Sequence, residues 1–143
     1  MLLGIFVVSC AHGDPGEHLV LGKESVQSQY NCARQKLPFV VIEQNEIQPR
    51  KLHPGEELQH HFVYVMCPSG TLATVQGKLE RRIYFKGKRI FYDAGNFAFR
   101  PGKWSVDAFI KVPSHTEPGT YHFELFFGSK GMTVKESLDF VVQ

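Results

Sequence analysis

From Pro38 onward, apolar and polar residues alternate with a period of two. Turn residues interrupt that alternation roughly every 8–12 positions. Trp104, Val106, Ala108, Ile110 and Val112 fall on one side of such a run, with Ser105, Asp107 and Lys111 on the other and Phe109 as the exception. Tyr121, Phe123, Leu125 and Phe127 oppose His122 and Glu124, and Leu138, Phe140 and Val142 repeat the pattern near the end. Successive side chains of a strand point to opposite faces, so this period describes strands that bury one face each. Seven runs carry it: 39–44, 58–67, 78–85, 89–93, 104–112, 120–127 and 137–142. Lys86-Gly87-Lys88 between the third and fourth reads as a hairpin loop. With 143 residues, 43% of them hydrophobic and twelve of them Phe, the chain has material for one core and a bias toward strands. The expected fold is all-β, with about seven antiparallel strands in two packed sheets over 38–143.

Two local motifs sharpen this. Pro118-Gly119-Thr120-Tyr121 runs straight into an alternating strand, and Pro54-Gly55-Glu56-Glu57-Leu58 precedes another. Both resemble turns of immunoglobulin-like and fibronectin-like domains. The resemblance implies an immunoglobulin-like β-sandwich, with the Tyr121 hydroxyl bonding back to the chain as a corner residue. Fold alone assigns no function.

The first ten residues are of another kind. Leu2 to Val8 are apolar except for Gly4, a run far short of the roughly 20 residues that span a bilayer. They suit the apolar region of a secretory signal. Val7-Val8-Ser9-Cys10 resembles the lipobox of bacterial lipoproteins. That resemblance implies cleavage before Cys10 and lipidation of its thiol, residues 1–9 being the signal. The Met1 amino group is its sole positive charge, which leaves two readings: a start lying further upstream, or a weak signal. The competing reading makes this stretch an ordinary first strand with Cys10 as a small buried hydrophobe. Residues 10–37 show no sustained periodicity beyond a helical hint from Ser25 to Lys36. They are expected to form a lipidated tether that stands the domain off a membrane.

Cys32 and Cys67 remain as a possible disulfide, which an extracytoplasmic location would permit. Two free thiols are the alternative, because sequence fixes no distance.

Charge offers one candidate surface. Residues 78–103 hold eight basic residues against two acids, a net of +6 in a chain of net +2. Arg82, Lys86, Lys88 and Arg89 cluster near the hairpin tip with Tyr84 and Tyr92 interleaved. Arg and Lys beside aromatic rings suit phosphate or carboxylate partners. The competing role is protection of an exposed strand against edge-to-edge aggregation. An envelope protein or an anionic envelope component is the expected partner; nucleic acid fits the chemistry but not the compartment. Seven histidines raise a soft-metal alternative, a copper-type periplasmic carrier drawing on His60, His61 and Met66. Neighbouring strand residues face opposite ways, and no ligand spacing reproduces a known site, so no metal and no cofactor is assigned. No G-x-S-x-G, H-E-x-x-H or Gly-rich phosphate loop occurs, and no small-molecule substrate is identified. The expectation is a non-enzymatic interaction or assembly module of the cell envelope.

Overall fold

The computed structural model describes residues 7–9, 16–70 and 74–143. In chain order the elements are β1 (Val7–Ser9), β2 (Gly16–Leu21), α1 (Lys23–Gln29), a 3₁₀ turn (Cys32–Arg34), β3 (Phe39–Gln48), β4 (Lys51–Leu52) and β5 (Glu57–Cys67). β6 (Val75–Phe85), β7 (Lys88–Phe99), β8 (Gly102–Lys111), β9 (Gly119–Ser129) and β10 (Met132–Val142) follow. They form an antiparallel β-sandwich. The first sheet runs β3-β5-β8-β2, with β1 beside β2 on the same edge of β8. The second runs β4-β10-β9-β6-β7, its two-residue β4 lying parallel to β10. Apart from β1 the described residues hold nine strands, where about seven were expected. The additions are β2 and β4, too short or too irregular to alternate.

Turn chemistry fixes the registers. Lys86 (φ 51°) and Gly87 (φ 78°) are both left-handed, which makes a two-residue loop, the geometry that matches strand twist. Lys88 already pairs with Phe85, so the loop is one residue shorter than expected. Gly55 (φ 91°) donates its N–H to the Val112 carbonyl at 2.9 Å, tying the Pro54-Gly55 turn to the end of β8. The Tyr121 hydroxyl donates to the Glu117 carbonyl at 2.5 Å, the corner bond implied by the immunoglobulin-like resemblance.

The core lies between the sheets. Leu58, Phe62, Tyr64 and Met66 of β5 meet Ile83, Phe99, Phe123, Phe127 and Phe140 from the facing layer, all essentially inaccessible. Tyr64, Phe97, Phe99 and Phe127 pack edge to face, with centroids 4.5 Å apart for Phe99 and Phe127. Each such ring contributes roughly 1.5–3 kcal/mol by burial. Tyr64 keeps a polar partner: its oxygen accepts the Arg100 N–H at 3.1 Å, and burial pushes its pKa up to about 12. Packing is tight enough that Gly77 has no room for a methyl group. A Cβ there would sit 2.5 Å from the Gly128 carbonyl oxygen and 2.6 Å from the Phe127 ring. Gly77→Ala should therefore cost about 2 kcal/mol in urea unfolding, as overpacking does; an unchanged midpoint would mean that β9 yields.

The stretch expected as a spacer is structured from Gly16 onward. β2 pairs with β8 from Gly16↔Asp107 to Leu21↔Lys103. Helix α1 crosses the outer face of the first sheet and buries Val26 against Val65 and Cys67 of β5. Asn31, in the left-handed region (φ 49°), ends that helix and turns the chain into the 3₁₀ segment. Cys32 is bonded to Cys67, Cα–Cα 5.5 Å. Tyr30 donates to Glu43, which also pairs with Lys103 at 2.8 Å, so the helix end is pinned to β3 and β8. The first sheet is thus covered on part of its outer side. The outer face of the second sheet is bare of helices among the described residues.

Candidate functional site

The basic hairpin forms as β6 and β7, but acids from elsewhere neutralise much of it. Arg82 bonds Glu80 on its own strand and lies over the Phe126 ring at 5.0 Å. Tyr92 donates to Glu80 at 2.6 Å; that bond, with Arg82 beside it, holds the Glu80 carboxyl below the usual range. Lys86 at the tip pairs with Glu117, 3.2 Å away in the loop before β9. Arg100 lies 3.8 Å from Glu17 and Lys103 2.8 Å from Glu43, both acids outside the basic segment. Arg81 turns inward. Lys88 and Arg89 stay exposed, Arg89 stacked over Tyr92 at 4.7 Å. The +6 of the sequence is therefore no +6 patch on the surface, because acids from other segments fold back onto it.

What the structure does assemble is a polar and aromatic face. Arg82, Tyr84 and Tyr92 share it with Glu80, His122, Glu124 and Phe126 across β7, β6 and β9. His122 bonds Asp139 at 2.8 Å and lies 3.6 Å from Glu124, beside the Tyr84 ring. These residues border an open depression near the hairpin tip. Sequence inspection missed Glu80, Glu117, Phe126 and His122. Alternation set His122 opposite the inward residues of its strand, but only pairing across strands and the fold of the loop before β9 show which partner each of the four meets.

The three metal candidates do not converge. His60 points into the core, completely buried, whereas His61 points out. Met66 is buried among the aromatics of the core. His61 Nδ1 bonds Asp107 at 2.6 Å, and Gln59 donates to the same carboxylate at 2.9 Å. No group of three His, Cys, Asp or Glu side chains that could hold a metal ion forms among the described residues.

His60 instead joins the two sheets through a buried polar network. Its Nδ1 accepts from Arg81 Nε at 3.2 Å, so its Nε2 carries the proton and donates to Asn45 Oδ1 at 2.7 Å. Arg81 Nη1 lies 3.8 Å from Asp93. The Phe123 ring lies 4.5 Å from the imidazole. Burial first, then the Arg81 charge, drives the His60 pKa well below its ordinary value, so the ring is neutral. The network has the geometry of a structural tie.

Cys10 lies outside the described residues. The backbone of Val7–Ser9 just before it pairs antiparallel with Phe109–Lys111 of β8.

No protein-family model matches the chain. No curated protein matches it at a significant level. Solved structures share its fold. A β-glucosidase from Erythrobacter marinus superposes with TM-score 0.53 at 9% identity, over 74% of this chain and 16% of that one. The alkylpurine DNA glycosylase AlkC of Pseudomonas fluorescens gives 0.52 at 13%, over 73% and 30%. A β-glucosidase from Listeria innocua, solved with glucose, gives 0.50 at 12%, over 76% and 16%. The chain spans less than a third of each of these proteins. At such identities the likeness is one of fold.

Proposed function

We propose that this chain is a non-enzymatic module of a bacterial cell envelope, anchored through a lipidated Cys10, that binds a protein or an anionic envelope component through the outer face of β7, β6 and β9. The observation that carries the reading is the Cys32–Cys67 bond. Such a bond persists in oxidising compartments and is rare in the cytosol, which agrees with a signal-like N-terminus. The binding surface rests on the row of Tyr92, Arg82, Tyr84 and Phe126. Partly exposed rings fixed by the Tyr92–Glu80 hydrogen bond and the Arg82–Phe126 contact present contact area at little cost in side-chain entropy, and Tyr and Arg are enriched in binding hot spots.

Two measurements test it. The mature native protein should begin at Cys10 with added acyl mass, and Cys10→Ser should move it from the membrane to the soluble fraction. An intact Met1 terminus on a soluble protein would sink the anchor. For the surface, Lys88→Glu with Arg89→Glu and Tyr92→Ala should weaken in-cell crosslinking to the partner about tenfold, the loss of roughly 1.4 kcal/mol. Arg82 is unsuited to reversal, since a carboxylate there would face Glu80. Unchanged crosslinking would leave Lys88 and Arg89 as guards of an edge strand.

A further inference from the structure

The two most exposed large hydrophobic residues among those described are neighbours in the chain: Leu19 (55% exposed) and Val20 (49%). Both lie on β2, the edge strand of the first sheet. Val20 lies where β2 bulges, between Leu19 opposite Trp104 and Leu21 opposite Lys103, so two adjacent apolar side chains sit exposed on this rim. Single exposed apolar residues are ordinary; an adjacent pair on a free edge points to a contact.

The tether length says with what. Residues 10–37 were expected to hold the domain away from the membrane, but Gly16 is already fixed on β8 opposite Asp107. Six peptide steps separate it from Cys10, a reach of at most about 21 Å. A domain anchored at Cys10 cannot stand clear of its membrane, and β2 is the element that the tether enters. The rim also suits a lipid surface by charge. His18 to Gly22 contains no carboxylate, and Glu17 is turned inward, 3.8 Å from Arg100.

We propose that the Leu19–Val20 rim of β2 rests on the lipid surface to which Cys10 is anchored. This rests on the lipoprotein reading above. The contact is interfacial in depth. Among the described residues no strand pairs with the outer edge of β2, and backbone groups at a sheet edge can be satisfied by headgroups and water but not by hydrocarbon. The orientation that follows lays the β2 edge on the membrane.

The test uses the native acylated protein in vesicles of phosphatidylethanolamine and phosphatidylglycerol that contain a headgroup-attached quencher. A fluorophore is placed at Val20→Cys in one sample and at Tyr92→Cys in another. Quenching should be several-fold stronger at position 20. Leu19→Asp, with the label still at position 20, should abolish that excess while the protein stays vesicle-bound. Equal quenching at the two positions, in protein shown by mass to be acylated and bound, would overturn the placement and leave the anchor standing. Concentration-dependent self-quenching at position 20 without lipid quenching would overturn it in favour of a second copy. A protein without acyl mass at Cys10 that does not sediment with vesicles would remove the anchor itself.

Discussion

Replacing Cys32 and Cys67 together by serine lowers the unfolding free energy by about 3–4 kcal/mol, the entropy regained by the unfolded chain when a loop of this size opens. The two residues are 35 positions apart. Urea unfolding with and without reductant reads the same quantity on the unmodified protein. The loss should be local before it is global. The bond holds α1 and the 3₁₀ turn over Val65 and Cys67, so reduction should first raise amide exchange across Lys23–Arg34. A midpoint that reductant does not move would mean that Val26 and the Tyr30–Glu43–Lys103 contacts hold the helix without it.

His60→Ala removes the centre of the buried network and costs about 3–5 kcal/mol, since it leaves a cavity and strips Arg81 and Asn45 of a partner. His60→Gln is the informative companion. Its amide oxygen can accept from Arg81 and its NH₂ can donate to Asn45, and it has no proton to gain. The wild type should be stable above the unfolded-state pKa of about 6.5 and weaken as pH falls below it, by up to about 1.4 kcal/mol per pH unit. The sign follows from the folded pKa being depressed: the unfolded chain takes up the proton first, and the decline ends only when pH reaches the folded value. The groups facing the ring are Arg81 and Asn45, with His61 adjacent on β5 and Asp93 beyond Arg81. Other groups titrate in the same window, so the expected result is the difference between the two pH profiles. Parallel profiles for wild type and His60→Gln would show that His60 is not buried as the neutral form.

The sandwich was legible because its strands are half-buried and long. β9 buries Tyr121, Phe123, Leu125 and Phe127 in strict alternation and β8 buries Val106, Ala108 and Ile110 at the same spacing, a period no helix reproduces. β2 was not legible: Leu19 and Val20 are both exposed, so an edge strand lying on one neighbour leaves no period in its sequence. α1 was nearly invisible for a related reason, since its seven residues bury only Val26 and the rest of its attachment comes from the disulfide and the Tyr30–Glu43–Lys103 contacts just beyond it. The basic segment was read from composition along the chain, and composition could not include Glu117, Glu17 and Glu43, which are far away in sequence and adjacent in space. His60 and His61 were separable in advance by alternation alone. That the inward one would meet an arginine from the opposite sheet depends on how the two layers stack, which no local pattern records.

The disulfide has a mechanical meaning for a chain held by its N-terminal end. Tension arriving through residue 16 loads β2 first and opens its bonds to β8 one after another, a path of low resistance. Helix α1 follows. Unravelling then halts at Cys32, because its sulfur hands the load to Cys67 at the end of β5, a strand hydrogen-bonded on both sides. The chain can yield at most sixteen residues, roughly 55 Å of slack at full extension. Beyond that length the force reaches a strand inside the first sheet, with the core behind it.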